Sequence, residues 1–312
     1  MARAPLYAVI ALLALLVPQS AGALAMGEER VLIVLATSGP RPYTVAEVER
    51  TVRQADAFFR TASFNQVHLT ADVTPWLPAF KTNPGCGGTT NRSLESVVAP
   101  ARVAADSAGY DPARYDDVVY AIADSRCGFH GATWGHEVML TRQPTVELLV
   151  HELGHALGLG HAQAAGCPVT PTQCGFDETG DPYSPMGHGM LDFSVYEKVL
   201  LGWIPAQPHA TVARRYVLAT PTARSTFAQA LIVDTEDGSW WIEYRAKPFR
   251  GLLVRFVEAR DLPPFARSAA LMLRTAKAHR PWIARGESYK LPGSFRVSLL
   301  KAGPVRAELR LR

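Results

Sequence analysis

After residue 25 the 312-residue sequence has no long apolar run, no large surplus of charge of one sign and only four cysteines, and each scarcity excludes something. Without a later run of about 20 apolar residues, no spanning helix is expected once the N-terminal segment is removed. A formal net charge of +4, spread over 32 basic and 28 acidic side chains, makes nucleic acid a poor default partner. Cys86, Cys127, Cys167 and Cys174 all lie before residue 175, too few for a cysteine-stapled scaffold along the whole chain. No internal repeat or long disordered tract is visible, and nothing in the sequence sets the oligomeric state.

The N-terminus supplies what the rest lacks. Arg3 precedes an apolar stretch from Leu6 to Val17, and Ala23, Leu24 and Ala25 form a small-x-small site before Met26. That order predicts a signal peptide over residues 1–25, hence a secreted or extracytoplasmic protein with no stable membrane anchor after cleavage. Four cysteines in an exported chain permit three pairings; sequence proximity favours Cys86 with Cys127 and Cys167 with Cys174, with unpaired thiols as the alternative.

Periodicity divides the remainder into two regimes. Strand-like segments at 31–38, 65–70 and 118–123 alternate with amphipathic helices at 46–60 and about 94–105, an order that predicts a mainly parallel α/β sheet. Residues 75–92, rich in Pro, Gly and Thr, read as an elaborate loop. A helix is expected from near Pro144, with proline in its first turn, to Gly158 or Gly160. From about Pro205 the pattern turns to short strands, and Val305, Ala307, Leu309 and Leu311 alternate with Arg306, Glu308, Arg310 and Arg312 as in a half-buried strand. The expected organisation is a catalytic region over 26–205 and an all-β accessory region over 206–312. The adjacent Trp240 and Trp241 point to opposite sides of a strand; packing against the first region accounts for the second ring better than a carbohydrate site does.

Chemistry concentrates in HELGHALGLGH, residues 151–161. Residues four apart share a helix face, so His151 and His155 can address one ion. Gly158 lets the chain turn so that His161 returns as a third nitrogen ligand, while Glu152 lies close enough to handle the protons of a water. Three histidines with an open position suit one catalytic zinc ion; a closed four-ligand site, or plain solvated histidines, are the rival readings. No oxygen-ligand loop is specific enough to predict a structural calcium ion, which stays open.

His151, Glu152, His155, Gly158 and His161 together match the extended motif of the metzincin metallopeptidases, and the chain resembles that clan over roughly residues 30–204. Within it, HELGHALGLGHA, the following PMG and the LGW at 201–203 are similar to gametolysin-like and immune-inhibitor-like peptidases. The resemblance implies a zincin-type catalytic domain, an apolar methionine turn at Met186 with Met190 as runner-up, and an edge strand around Trp134, Gly135 and His136 that pairs with extended substrate. It implies a zinc endopeptidase whose general base is Glu152 and whose partner is an extended peptide, extracellular protein or glycoprotein. No tyrosine directly follows Met186, where some members carry an extra ligand; Tyr183 and Tyr196 are the nearest substitutes. Hydrolysis of another amide, or an adhesion role on a silent scaffold, are the alternatives.

Overall fold

The computed structural model describes residues 26–86, 91–123, 127–166, 177–259, 268–272 and 280–312. The expected signal peptide and Cys167 with Cys174 lie outside these residues. Among them no helix is long and apolar enough to cross a membrane.

Strand β1 (Gly27–Thr37) is the centre of the first sheet. From Val31 to Thr37 it is buried on both faces, as a strand flanked by helices must be. It runs parallel to β2 (Val67–Val73), to the short β3 (Leu77–Pro78) and to β4 (Asp117–Ile122). β5 (Gly131–Trp134) and β6 (Glu137–Leu140) form a hairpin, with β6 parallel to β4 and β5 antiparallel at the edge, so the order is β2-β1-β4-β6-β5. Helix α1 (Val45–Ala62) starts at a capping box in which Thr44 and Glu47 satisfy each other's backbone N–H. It lays Val48, Val52, Ala55 and Phe59 against Ile33 and Leu35. Helix α2 (Asn91–Ser107) covers the opposite face, with Val97, Val98 and Ala101 against Leu32, Val34 and Ala36. Cys86 and Cys127 form a disulfide, one of the two expected pairs.

Helix α3 (Val146–Ala156) packs on the α1 side through Leu149, Val150 and Leu153. Its N-cap is Thr145, whose side chain accepts from the Leu148 N–H. Pro144 therefore sits before the cap and not in the first turn as expected, because the threonine oxygen satisfies an N–H that a proline cannot.

Two further sheets follow. One comprises β7 (Ala164–Ala165), β9 (Ala230–Thr235), β10 (Gly238–Arg245), β11 (Gly251–Glu258), β12 (Ala270–Met272) and β13 (Trp282–Ala284), in the order β7-β12-β11-β10-β9 with β13 also on β11. The other is β14-β15-β16-β8, from β8 (Arg215–Ala219), β14 (Ser288–Lys290), β15 (Arg296–Ala302) and β16 (Arg306–Leu311). Their facing sides close on a core that includes Trp240, Ile242, Tyr244, Phe256, Leu299 and Leu309. Ala307, Leu309 and Leu311 point into that core as their alternation requires, but Val305 is 54% exposed because the strand begins one residue later.

The outer face of β10 is buried as well. Trp241 meets Tyr196 of helix α4 (Val195–Leu200), with ring centroids 5.2 Å apart. Strand β7, from before residue 205, enters the second sheet beside β12. The two parts share a core in which Val195, Tyr196 and Ile204 cluster with Ala230, Ile232 and Trp241.

Candidate active site

The motif is carried by α3 and the turn after it. His151 and His155 lie one helical turn apart, and Gly158, at φ +95°, takes a left-handed conformation that redirects the chain. His161 thereby reaches the other two: the three ring centroids are separated by 4.7, 5.3 and 4.7 Å. Among the described residues this is the one group of three or more potential metal ligands whose ligand atoms all lie within 4.8 Å of one another.

The hydrogen bonds around the rings fix which nitrogen faces inward. His151 Nδ1 is 2.8 Å from the carbonyl oxygen of Pro185, and His155 Nδ1 is 2.8 Å from that of Leu159. A carbonyl only accepts, so both Nδ1 atoms carry protons and both Nε2 atoms present lone pairs. His161 Nδ1 faces the Glu178 carboxylate at 3.0 Å. The Nε2 atoms of His151 and His155 stand 3.1 Å apart, an arrangement of two lone pairs that is unfavourable with nothing between them. A tetrahedral ion with bonds of about 2.0–2.1 Å, as for zinc, would hold two nitrogens at about 3.4 Å, so the spacing of this pair is compatible with a shared metal ion. Burial lowers the pKa of both rings, that of His155 to about 3 with His151 adding to the effect, which keeps the imidazoles neutral and able to ligate.

Glu152, next to His151 on α3 and lining the same cleft, is 4% exposed. Burial pushes its carboxyl up to about 7, opposed by a hydrogen bond of 2.7 Å that Thr133 Oγ1 donates to Oε2. A carboxyl poised near neutrality and held by one partner is suited to taking up and releasing a proton. Gly131 makes room for it: a Cβ at that position would lie 2.7 Å from the Glu152 Cδ and closer still to its oxygen. Gly131→Ala is therefore expected to fold and bind metal but to misplace the carboxylate, lowering kcat/KM by about 10²-fold. Unchanged kcat/KM in a metal-replete Gly131→Ala protein would show that the carboxylate's position is irrelevant.

Met186 is fully buried beneath the ligand helix. A Cβ on Gly154 would collide with its Sδ, so the glycine in HELGH lets the helix settle on the methionine. The Met186 carbonyl accepts from the Ala162 N–H at 2.7 Å, joining this turn to the residue after His161. Met190 packs only at the margin of the same core. Tyr183 and Tyr196 direct their rings to Phe249 and Trp241.

The edge strand differs from its expected place. Gly131–Trp134 forms β5, whereas Gly135 (φ +61°) and His136 make the two-residue turn to β6, because Trp134 pairs with Glu137. His136 is turned towards Asp117, 3.0 Å from its carboxylate. The part of the strand next to Glu152 is Gly131–Thr133. A cleft of about 590 Å³ opens there, lined by Phe129, Leu148, His151, Glu152, Pro185 and His188 among others.

Sequence reasoning passed over Thr133, Glu178 and Pro185, which orient the proposed base and ligands, since single polar residues outside a motif carry no spacing signal. It also passed over Asp181, Glu197, Glu243 and Arg255, a buried group beneath the Met186 turn. Arg255 Nη2 lies 2.6 Å from Asp181 Oδ2, and its Nη1 lies 2.7 Å from Glu243 Oε1. Asp181 Oδ1 accepts from the N–H groups of Tyr183 and Ser184, and Ser184 Oγ donates to Glu197 while accepting from the Met186 N–H.

No protein-family model matches this chain, and no curated protein does. Among solved structures, archaemetzincin from Methanopyrus kandleri is similar at 18% identity and a TM-score of 0.31, over 60% of this chain and 97% of that one. Metalloproteinase-II from Bacteroides fragilis is similar at 15% identity and a TM-score of 0.29, over 61% and 56% of the two chains. A chaperone-substrate complex matches at 14% identity and a TM-score of 0.33, over 54% of this chain but only 29% of that one. Likeness at this level assigns neither a family nor an activity. The site's own geometry gives three converging imidazoles, two of them kept neutral by burial, beside a buried carboxyl of raised pKa.

Proposed function

We propose that the protein is a secreted zinc-dependent endopeptidase of the metzincin kind, with His151, His155 and His161 as ligands and Glu152 as general base. The observation that carries this reading is the pair of Nε2 lone pairs of His151 and His155 facing each other at 3.1 Å, each held there by a carbonyl on Nδ1. The resemblance of HELGHALGLGH and Met186 to the metzincin motif supports it. A zinc ion held there supplies Lewis acidity that polarises a carbonyl and acidifies water.

The chain's own residues would do the rest. Glu152 accepts a water proton on the carboxylate oxygen that Thr133 leaves available, then gives it to the departing amine. Extended peptide adds to the outer edge of β5, where backbone N–H and C=O groups orient the scissile bond across the cleft. The 206–312 region acts in this reading as an accessory domain. Its Arg255 holds Asp181 at the start of the turn that bears Met186, which makes it a support for the site, and limited proteolysis should leave it protected whenever residues 26–205 are intact.

Chelation followed by addition of zinc should abolish and then restore cleavage of an unfolded protein substrate, with fragments identified by mass. Cleavage that persists in metal-free protein would overturn the reading. Zinc bound at the three histidines with no cleavage of any protein would favour hydrolysis of another amide, or a silent binding role.

A further inference from the structure

The modest net charge of the whole chain conceals a division. Residues 1–205 carry 13 Lys and Arg against 20 Asp and Glu, whereas residues 206–312 carry 19 against 8, formal balances of −7 and +11. Arg245 and Arg255 reach across to Asp192 and Asp181 inside the molecule, but they use up only a small part of the excess. Much of the remainder gathers on one surface, the outward side of the β14-β15-β16-β8 sheet.

Alternation fixes that side. Val297, Leu299, Ala307, Leu309 and Leu311 face the core, so Arg296, Arg306, Arg310 and Arg312 face out, joined by Arg215 on β8, Lys290 on β14 and Lys301 beside the β15 bulge. Glu308 is the one acid on these outward positions, and it is already shared between Arg215 and Lys301, 3.0 Å from each. Like charges are placed directly opposite each other across strands: Arg310 with Arg215, Arg296 with Lys290, and Arg312 with Arg296, whose backbones exchange hydrogen bonds of 2.8 and 3.0 Å. Opposed like charges destabilise a sheet, so folding alone gives no reason for three such pairs. An anion lying across them would turn each repulsion into a shared attraction.

We infer that this face is a docking surface for a linear sulfated polysaccharide. The cations stand in rows perpendicular to the strands, about 4.8 Å apart from strand to strand and about 6.8 Å along a strand, a flat ladder fitted to an extended chain with repeated anionic groups. Five of the seven are arginines, whose planar fork grips an oxyanion through two N–H groups where a lysine offers a point charge. Nucleic acid fits less well, since these outward positions offer no aromatic ring for base stacking and no element that enters a groove. A membrane also fits less well: the outward apolar residues are Val217 and the half-buried Leu300, and Phe227 at the corner lies under the Arg306 guanidinium, 4.6 Å from its ring. The inference goes beyond the proposed peptidase activity and does not depend on it.

The test is calorimetric titration of the intact protein with a heparin decasaccharide at increasing salt, for the wild type and two triple variants. Arg296→Gln, Arg310→Gln and Arg312→Gln together should weaken binding by about 10-fold or more and flatten its salt dependence, with no loss of thermal stability because opposed charges are relieved. Arg41→Gln, Arg50→Gln and Arg53→Gln, exposed on and beside α1, should bind as the wild type does. Undiminished binding by the first variant, or an equal loss in the second, would overturn the assignment. So would phosphatidylserine-containing vesicles or duplex DNA binding this face as tightly as the decasaccharide at equal charge concentration.

Discussion

Glu152→Gln is expected to lower peptide hydrolysis by about 10²- to 10⁴-fold while leaving zinc content and folding near normal, the range lost when a general base is removed. The substitution suits the site. The carboxyl is almost wholly buried and takes a hydrogen bond from Thr133 at 2.7 Å, which an amide oxygen of the same size can also accept. The histidines are held by Pro185, Leu159 and Glu178, none of which involves the Glu152 side chain, so the ligand set should survive. What disappears is the one carboxyl at the site whose pKa burial has raised to about 7. Metal content, near-UV circular dichroism and kcat/KM must come from one preparation, since unfolding also removes activity. Near-normal cleavage by a folded, zinc-replete Glu152→Gln protein would remove Glu152 from the mechanism.

The parts of the site that could be read in advance are those set by local geometry. The ligand spacing is a property of one helix and one glycine turn, so His151, His155 and His161 converge whatever lies around them. The edge strand begins three residues earlier than expected, sharing only Trp134, because β5 and β6 have four residues each, too short for alternation to fix a register, and the turn at Gly135 and His136 resembles the end of a strand. The first sheet was legible because Val31 to Ala36 is an unbroken apolar run. On β10 the pattern misleads: SWWIEYR alternates as if Glu243 and Arg245 faced water, yet both are buried. Burial there depends on partners contributed by other segments, Arg255 for Glu243 and Asp192 for Arg245, and no periodicity along one strand reports the charge of another. The charge division at residue 205 was present in the sequence throughout, cancelled in the sum over the whole chain.

That buried charge group supports the second large effect. Arg255→Met is expected to destabilise the protein by about 3–5 kcal/mol, the cost of leaving a buried partner uncompensated. The guanidinium is 1% exposed and stands between Asp181 and Glu243, themselves 0% and 2% exposed. Burial raises the Glu243 pKa, but Arg245 and Arg255 more than offset it and hold the carboxyl near 2. A carboxyl depressed in the folded state contributes stability that is complete above its unfolded value of about 4.3 and is lost as pH falls towards 2. Without Arg255 that depression shrinks, so the variant should unfold in acid at a higher pH as well as at lower urea. Damage should also reach the site, because Asp181 anchors the turn bearing Met186 and the residues beside His161. Arg255→Lys keeps a charge but cannot reproduce the two-sided grip, and should fold with zinc affinity reduced by about 10- to 100-fold, as when groups that orient metal ligands are altered. Leu309→Ala, a cavity in the distant sheet core, serves as a control: it should cost about 2–5 kcal/mol with zinc affinity unchanged. If zinc affinity fell equally in Leu309→Ala and Arg255→Lys at matched stability, the buried arginine would be a fold element alone. If it fell only in Arg255→Lys, the β-rich region would be a working part of the site.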